Sequence, residues 1–163
     1  MSMIGNYRCI TENELDTLLE VPETIAEFLY GEKTQAETEK QLDIDKAWHA
    51  LHYLLNGTAW GGEGPLANAV LGGEPIGEED VGYGPCRYLR SIQVFETSNA
   101  LQIISSEQLW SRFNAAEMKK AEIYPKFEGG EEVKEYLCGN FESIKAFFAA
   151  AASHGNAMLL YLS

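Results

Sequence analysis

Apolar residues recur at intervals of three and four along most of the chain, and only near the two termini and around residue 88 do they alternate or run together. The opening "MIGNYRCI" (3–10) has the aromatic and β-branched content of a strand. It hands over to a helix at Thr11, with Glu14 three residues on to complete a capping box and Leu15, Leu18 and Leu19 as the buried stripe. Pro22 restarts a second short helix through Ile25, Phe28 and Leu29, ending at Gly31. Residues 31–42 have little to bury and read as an exposed, mobile connector. A third helix is predicted over 43–55, stopped by Asn56-Gly57.

Nine glycines follow between Gly57 and Gly84, a density that forbids long regular elements; only "PLANAVL" (65–71) keeps a helical spacing. "CRYLR" (86–90) alternates as a strand does, and Ser91 opens a helix with Val94, Phe95, Ser98 and Leu101 on one side. Capping boxes at Ser105/Gln108 and Asn114/Glu117 predict two further short helices. After Gly129-Gly130 the longest helix runs to about 153, with Val133, Tyr136, Leu137, Phe141, Ile144, Phe148 and Ala151 as a continuous inner face and Gly155 as its stop. The closing "NAMLLYLS" is apolar on both faces, which places it at the centre of a sheet covered on each side. Few strands among many helices predict a single, helix-rich α/β domain over 1–163: a small mixed sheet with helices on both faces, a three-layer α/β/α arrangement.

Composition sharpens the choice of partner more than the choice of fold. The 25 acidic and 12 basic residues leave a formal net charge of -13, a field that repels nucleic-acid phosphates and anionic lipid headgroups. No nucleic-acid or membrane partner is therefore expected, and a basic protein or a small-molecule ligand fits better. Cys9, Cys86 and Cys138 are odd in number and widely spaced, with no C-x-x-C pair, as in the reduced core of a cytoplasmic protein. The N-terminus lacks a secretion signal's long apolar run, and "AFFAAAA" (146–152) is too short to span a bilayer.

The chemistry-bearing residues gather in two places. On a helical wheel over 43–55, Ile44, Trp48, Leu51 and Leu55 form the inner face while Asp45, His49 and His52 share one flank, so a carboxylate and two imidazoles could meet at the border of the core. That set would suit a divalent metal or a general base in a small hydrolase-type enzyme, the alternative to a non-catalytic binding protein. The spacing departs from H-E-x-x-H, and no third histidine lies near, so no metal or cofactor is assigned. In the glycine-rich stretch Trp60, Tyr83 and Arg87 could hold a planar anionic ligand or a partner's side chains. The leading expectation is one water-filled cleft lined by Asp45, His49, His52, Trp60, Tyr83 and Arg87, used for binding rather than catalysis.

"MIGNY", "LDIDKAWHALHYLLNG", "PLANAVLGG", "GYGPCRYL", "AEIYP" and "GNAMLLYLS", in that order, resemble the YfbM-like family of small bacterial proteins of unknown function. The resemblance spans nearly the whole chain. It implies one α/β domain with helices on both sides of a sheet and implies no reaction. Asp45, Lys46, Trp48, His52, Gly57, Pro65 and Tyr124 lie in its recurring motifs, and His49 at a more variable place.

Overall fold

A computed structural model describes residues 2–163. One five-stranded sheet organises the chain, in the order β2-β1-β5-β4-β3, from strands β1 (Gly5–Ile10), β2 (Gln41–Asp43), β3 (Glu74–Asp80), β4 (Pro85–Leu89) and β5 (Ala157–Leu162). The apolar C-terminal run is the central strand, as its two apolar faces require. Every pairing is antiparallel, where a mixed sheet was expected. The reason lies in the long excursion between β4 and β5, which returns the chain to the end of the sheet that it left, so that Leu89 at the close of β4 faces Met158 at the start of β5.

Helices cover both faces. Helices α1 (Glu12–Glu20) and α2 (Ile25–Tyr30) close one side, burying Leu15, Leu18, Ile25 and Leu29 against Ile10, Ile76, Cys86, Leu159 and Tyr161. On the other side lie α4 (Trp48–Asn56), α5 (Ser91–Gln102), α6 (Ser106–Trp110), α7 (Ala115–Lys120) and α8 (Glu131–Ser153). They meet Tyr7, Leu89, Met158 and Leu160 from the sheet. The alternation along β5 thus divides the core into two, a direct consequence of the two-residue period of a strand.

Local signals are realised closely where a side chain closes its own hydrogen bond. The boxes at Thr11/Glu14 and Ser105/Gln108 are complete, Asn114 accepts from the Glu117 amide, and Gly57 ends α4 in the left-handed region at φ 72°. The predicted inner face of α8 is buried at Leu137, Phe141, Ile144, Phe148 and Ala151.

Four expectations are corrected. The connector 31–42 contains a one-turn helix, α3 (Gln35–Thr38), capped by Thr34, and then β2. "PLANAVL" opens as a 3-10 turn over Pro65–Asn68 rather than an α-helix. Strand β3 was unreadable because Ile76 is its only buried residue; its acidic outer positions instead protect an exposed edge. In α5, Thr97 is buried and Phe95 is 51% exposed, because the helix turns Thr97 toward the Pro65 carbonyl.

Truncation at the centre of α8 should separate burial from mere apolarity. Phe141→Ala empties a fully buried site and should cost about 3–5 kcal/mol in urea unfolding. Ile103→Ala, at a site 79% exposed, should stay within about 0.5 kcal/mol of the parent.

Candidate functional site

The site grows from α4 and the glycine-rich loop that follows it. Asp45 does not belong to the helix: it stands in the left-handed region at φ 50°, at the head of a 3-10 turn over Asp45–Ala47, and α4 begins only at Trp48. The wheel that set Asp45 beside the histidines therefore fails at its first residue. Its carboxylate Oδ2 accepts from the Tyr136 hydroxyl at 2.8 Å, and that same hydroxyl accepts from the Lys46 amide at 3.0 Å.

His49 and His52 are both buried, at 2% and 0% exposure, so the flank expected at the water's edge is dry. Helix α4 is covered almost all the way round, since Ala50, Leu51, Leu54 and Leu55 are buried as well. His49 Nε2 donates to the Ala59 carbonyl at 3.1 Å while its Nδ1 accepts from the Tyr124 amide at 2.9 Å. Each nitrogen has one partner, and the neutral Nε2–H tautomer follows. His52 Nε2 donates to the Gly61 carbonyl at 2.7 Å, with the Asn56 amide 3.4 Å from its Nδ1.

These are two bonds of a larger set. Asn56 Nδ2 donates to the Leu66 carbonyl at 3.1 Å, Thr97 Oγ1 to Pro65, the Tyr7 hydroxyl to Ala69, and Arg87 Nη1 to Gly72 at 2.9 Å and more weakly to Val70. Side chains from β1, α4, β4 and α5 thus converge on the backbone carbonyls of residues 59–72, a stretch rich in glycine and poor in regular hydrogen bonding. Gly73, at φ 91°, closes the loop where a Cβ would meet the Tyr88 carbonyl oxygen at 2.6 Å.

Trp60 is the side chain that this loop displays. It is 62% exposed, yet its ring lies 4.5 Å from the His49 ring, and His49 in turn stacks on Trp48 at 4.8 Å with the planes 10° apart. Trp48 is anchored from beneath by its indole N–H to the Met3 carbonyl at 2.9 Å, and Tyr124 lies 5.9 Å from it. Beside the loop a cleft of about 550 Å³ is lined by Leu55, Asn56, Gly62, Glu63, Pro65, Leu66 and Ala100.

Of the six residues expected to share one cleft, the structure brings together His49, His52, Trp60 and Arg87, of which the two histidines are buried, Arg87 is half-buried and Trp60 is exposed. Arg87 lies close enough to His52 for its charge to act on the imidazole, but it is spent on loop carbonyls rather than on a carboxylate or a ligand. Tyr83 lies elsewhere, in the β3–β4 turn, where its amide donates to the Leu162 carbonyl at 3.1 Å. Among the described residues no group of three or more His, Cys, Asp or Glu side chains is placed to hold a metal ion. No helix among them is long and apolar enough to cross a membrane.

Tyr7, Asn56, Thr97 and Tyr124 complete the site and were not singled out for it in the sequence. At Asn56 the local signal, the Asn-Gly pair, is that of a helix stop. The other three bond across more than thirty positions of chain, which no local pattern reveals.

Burial lowers the pKa of both histidines from the ordinary value of 6.5; each imidazole also feels a neighbouring group, His52 for His49 and Arg87 for His52, while the loop carbonyls oppose the shift. The fold therefore holds both neutral, and their contribution to stability is complete above the unfolded value of about 6.5 and is lost as pH falls from there through the folded values. Thermal unfolding followed from pH 7.5 to pH 5 should show a declining Tm below about 6.5. His52→Gln, which keeps an N–H directed at Gly61 but cannot titrate, should flatten that slope; an unchanged slope would assign the effect elsewhere.

The family model for a domain of unknown function, DUF1877, matches residues 1–161. Protein YfbM of Escherichia coli (strain K12) is 28% identical over 145 residues, covering 84% of this chain and 81% of its own. The crystal structure of YfbM from Escherichia coli, described as a protein of unknown function, aligns with a TM-score of 0.73 at 26% identity, over 98% of this chain and 99% of that one.

Proposed function

The chain belongs to the DUF1877 family, a domain of unknown function, and on that premise we propose that it is a non-catalytic, cytoplasmic binding protein whose glycine-rich loop presents Trp60 to a basic segment of a protein partner. The observation that carries this reading is the contrast between a loop whose carbonyls are held by six side chains, four of them buried, and an indole on that loop that is 62% exposed. Ordering a loop before binding removes the entropy that ordering it upon binding would cost, and an exposed tryptophan on a rigid support is the usual anchor of an interface. The tilted contact of Trp60 with His49 and the stack of His49 on Trp48 hold the aromatic faces in a fixed orientation.

Charge selects the partner's chemistry. An indole face attracts lysine and arginine cations, Glu63 is exposed three residues along the same loop, and the net charge of -13 draws cations from a distance. The buried imidazoles support no hydrolase: their nitrogens are occupied by loop and amide partners, and Asp45 is turned to Tyr136. Three free thiols, Cys9, Cys86 and Cys138, suit a reducing compartment. A second reading, a small-molecule ligand, is favoured by the 550 Å³ cleft under the same loop.

Calorimetric titration with a short oligoarginine peptide tests the first reading. Binding should be saturable and weaken with salt, and Trp60→Ala should reduce the affinity roughly five- to thirtyfold, the range of about 1–2 kcal/mol for a cation on an indole, with Tm unchanged. Equal affinity in parent and Trp60→Ala would refute it.

A further inference from the structure

On the opposite face of the sheet, near α2 and α3, two side chains carry donors that lack acceptors. Arg8 of β1 is 3% exposed, and its Nε and Nη1 have no hydrogen-bond partner. The nearest carboxylate oxygen, Glu37 Oε1, is 4.0 Å from Nη2, and Glu37 is 42% exposed with its other oxygen accepting from the Thr34 amide at 2.8 Å. Gln41 lies directly opposite Arg8 across the β1–β2 ladder, and its amide nitrogen is also buried without a partner. Two side chains paired across the ladder therefore hold three unpaired N–H-bearing atoms close together. Guanidinium is charged at every pH a protein survives, and a buried charge requires acceptors.

We propose that the buried Arg8–Gln41 donor pair is a binding site for the carboxylate of a small aliphatic monocarboxylic acid. The single positive charge sets the valence of the ligand. Glu37 and Asp43 already supply negative charge on the flanking elements, and the chain as a whole is acidic, so a monoanion is accommodated where a phosphate dianion is repelled. Planarity agrees as well, since a carboxylate accepts in-plane from guanidinium and amide N–H groups while the guanidinium's own face is covered by the Phe28 ring at 4.5 Å. The Phe28 ring that lies against Arg8 is also one wall of an apolar cleft of about 310 Å³, lined besides by Glu14, Thr17, Leu18, Thr24 and Glu27, and a short carbon chain would reach that cleft past Phe28. The cover that α3 gives the pair is slight: it is a single turn that buries none of its residues, so ligand entry on that side need not disturb either core.

Sodium acetate and sodium butyrate, titrated against sodium chloride at matched ionic strength and constant pH, test the assignment on the intact protein. The Arg8 Nε–H resonance should move saturably with either carboxylate, further at low concentration with butyrate, and Tm should rise with ligand as mass action requires. Arg8→Met should abolish both responses, and Glu37→Gln, which removes the neighbouring negative charge, should tighten binding several-fold. An unmoved Arg8 resonance, a response to phosphate in place of carboxylate, or a Tm rise that survives Arg8→Met would each overturn it. Should Arg8→Met fail to fold, the resonance in the parent protein decides alone.

Discussion

The hydrogen bonding of one irregular loop governs the larger half of this molecule. Between Gly57 and Gly73 the backbone makes few bonds to itself, and its carbonyls would face the core unpaired were it not for His49, His52, Asn56, Tyr7, Arg87 and Thr97. Each of those side chains is a donor: three come from α4 and one each from β1, β4 and α5. An unmade bond in such a place costs more than a made one contributes, so the set holds as a unit. That is why polar residues stand in what is otherwise an apolar core around α4.

The same constraint explains the character of the imidazoles. A histidine that gives its Nε2 proton to a carbonyl and receives an amide at Nδ1, as His49 does, is fixed in tautomer, orientation and charge. It becomes a flat, neutral spacer between Trp48 and Trp60. Reactivity would require the opposite: a free nitrogen, a path for water and a second charged group within reach. What the arrangement yields is rigidity at a surface aromatic, with the stack on one side and solvent on the other.

Across the sheet the balance of donors and acceptors differs. The face under α1 and α2 is apolar at Ile10, Leu159 and Tyr161, but at Arg8 a full charge lies beneath a one-turn helix with its nearest carboxylate at 4.0 Å. Loop carbonyls matched by donors on one face thus contrast with the unpaired donors of Arg8 and Gln41 on the other. The all-antiparallel sheet permits this, since its centre is buried on both sides while its edges are short or acidic.

Much of the architecture was legible residue by residue. The central place of β5 follows from its two apolar faces, the extent of α8 from its repeat of buried positions, and the helix starts at Thr11 and Ser105 from boxes closed within four residues. Each is a matter of periodicity or of contacts between near neighbours, which a linear chain encodes directly. The direction of the strands, the short edge strand β2, the acidic edge β3 and the true environment of α4 were not legible, because each depends on what distant segments cover. His49, His52 and Arg87 stood out in the sequence for their chemistry, but whether an imidazole binds a ligand or a loop carbonyl depends on which acceptor the fold brings within 3 Å. Local order was thus determined by the sequence alone, whereas burial and hydrogen-bond partnership were decided only by the tertiary structure, since both are properties of segments far apart in the chain.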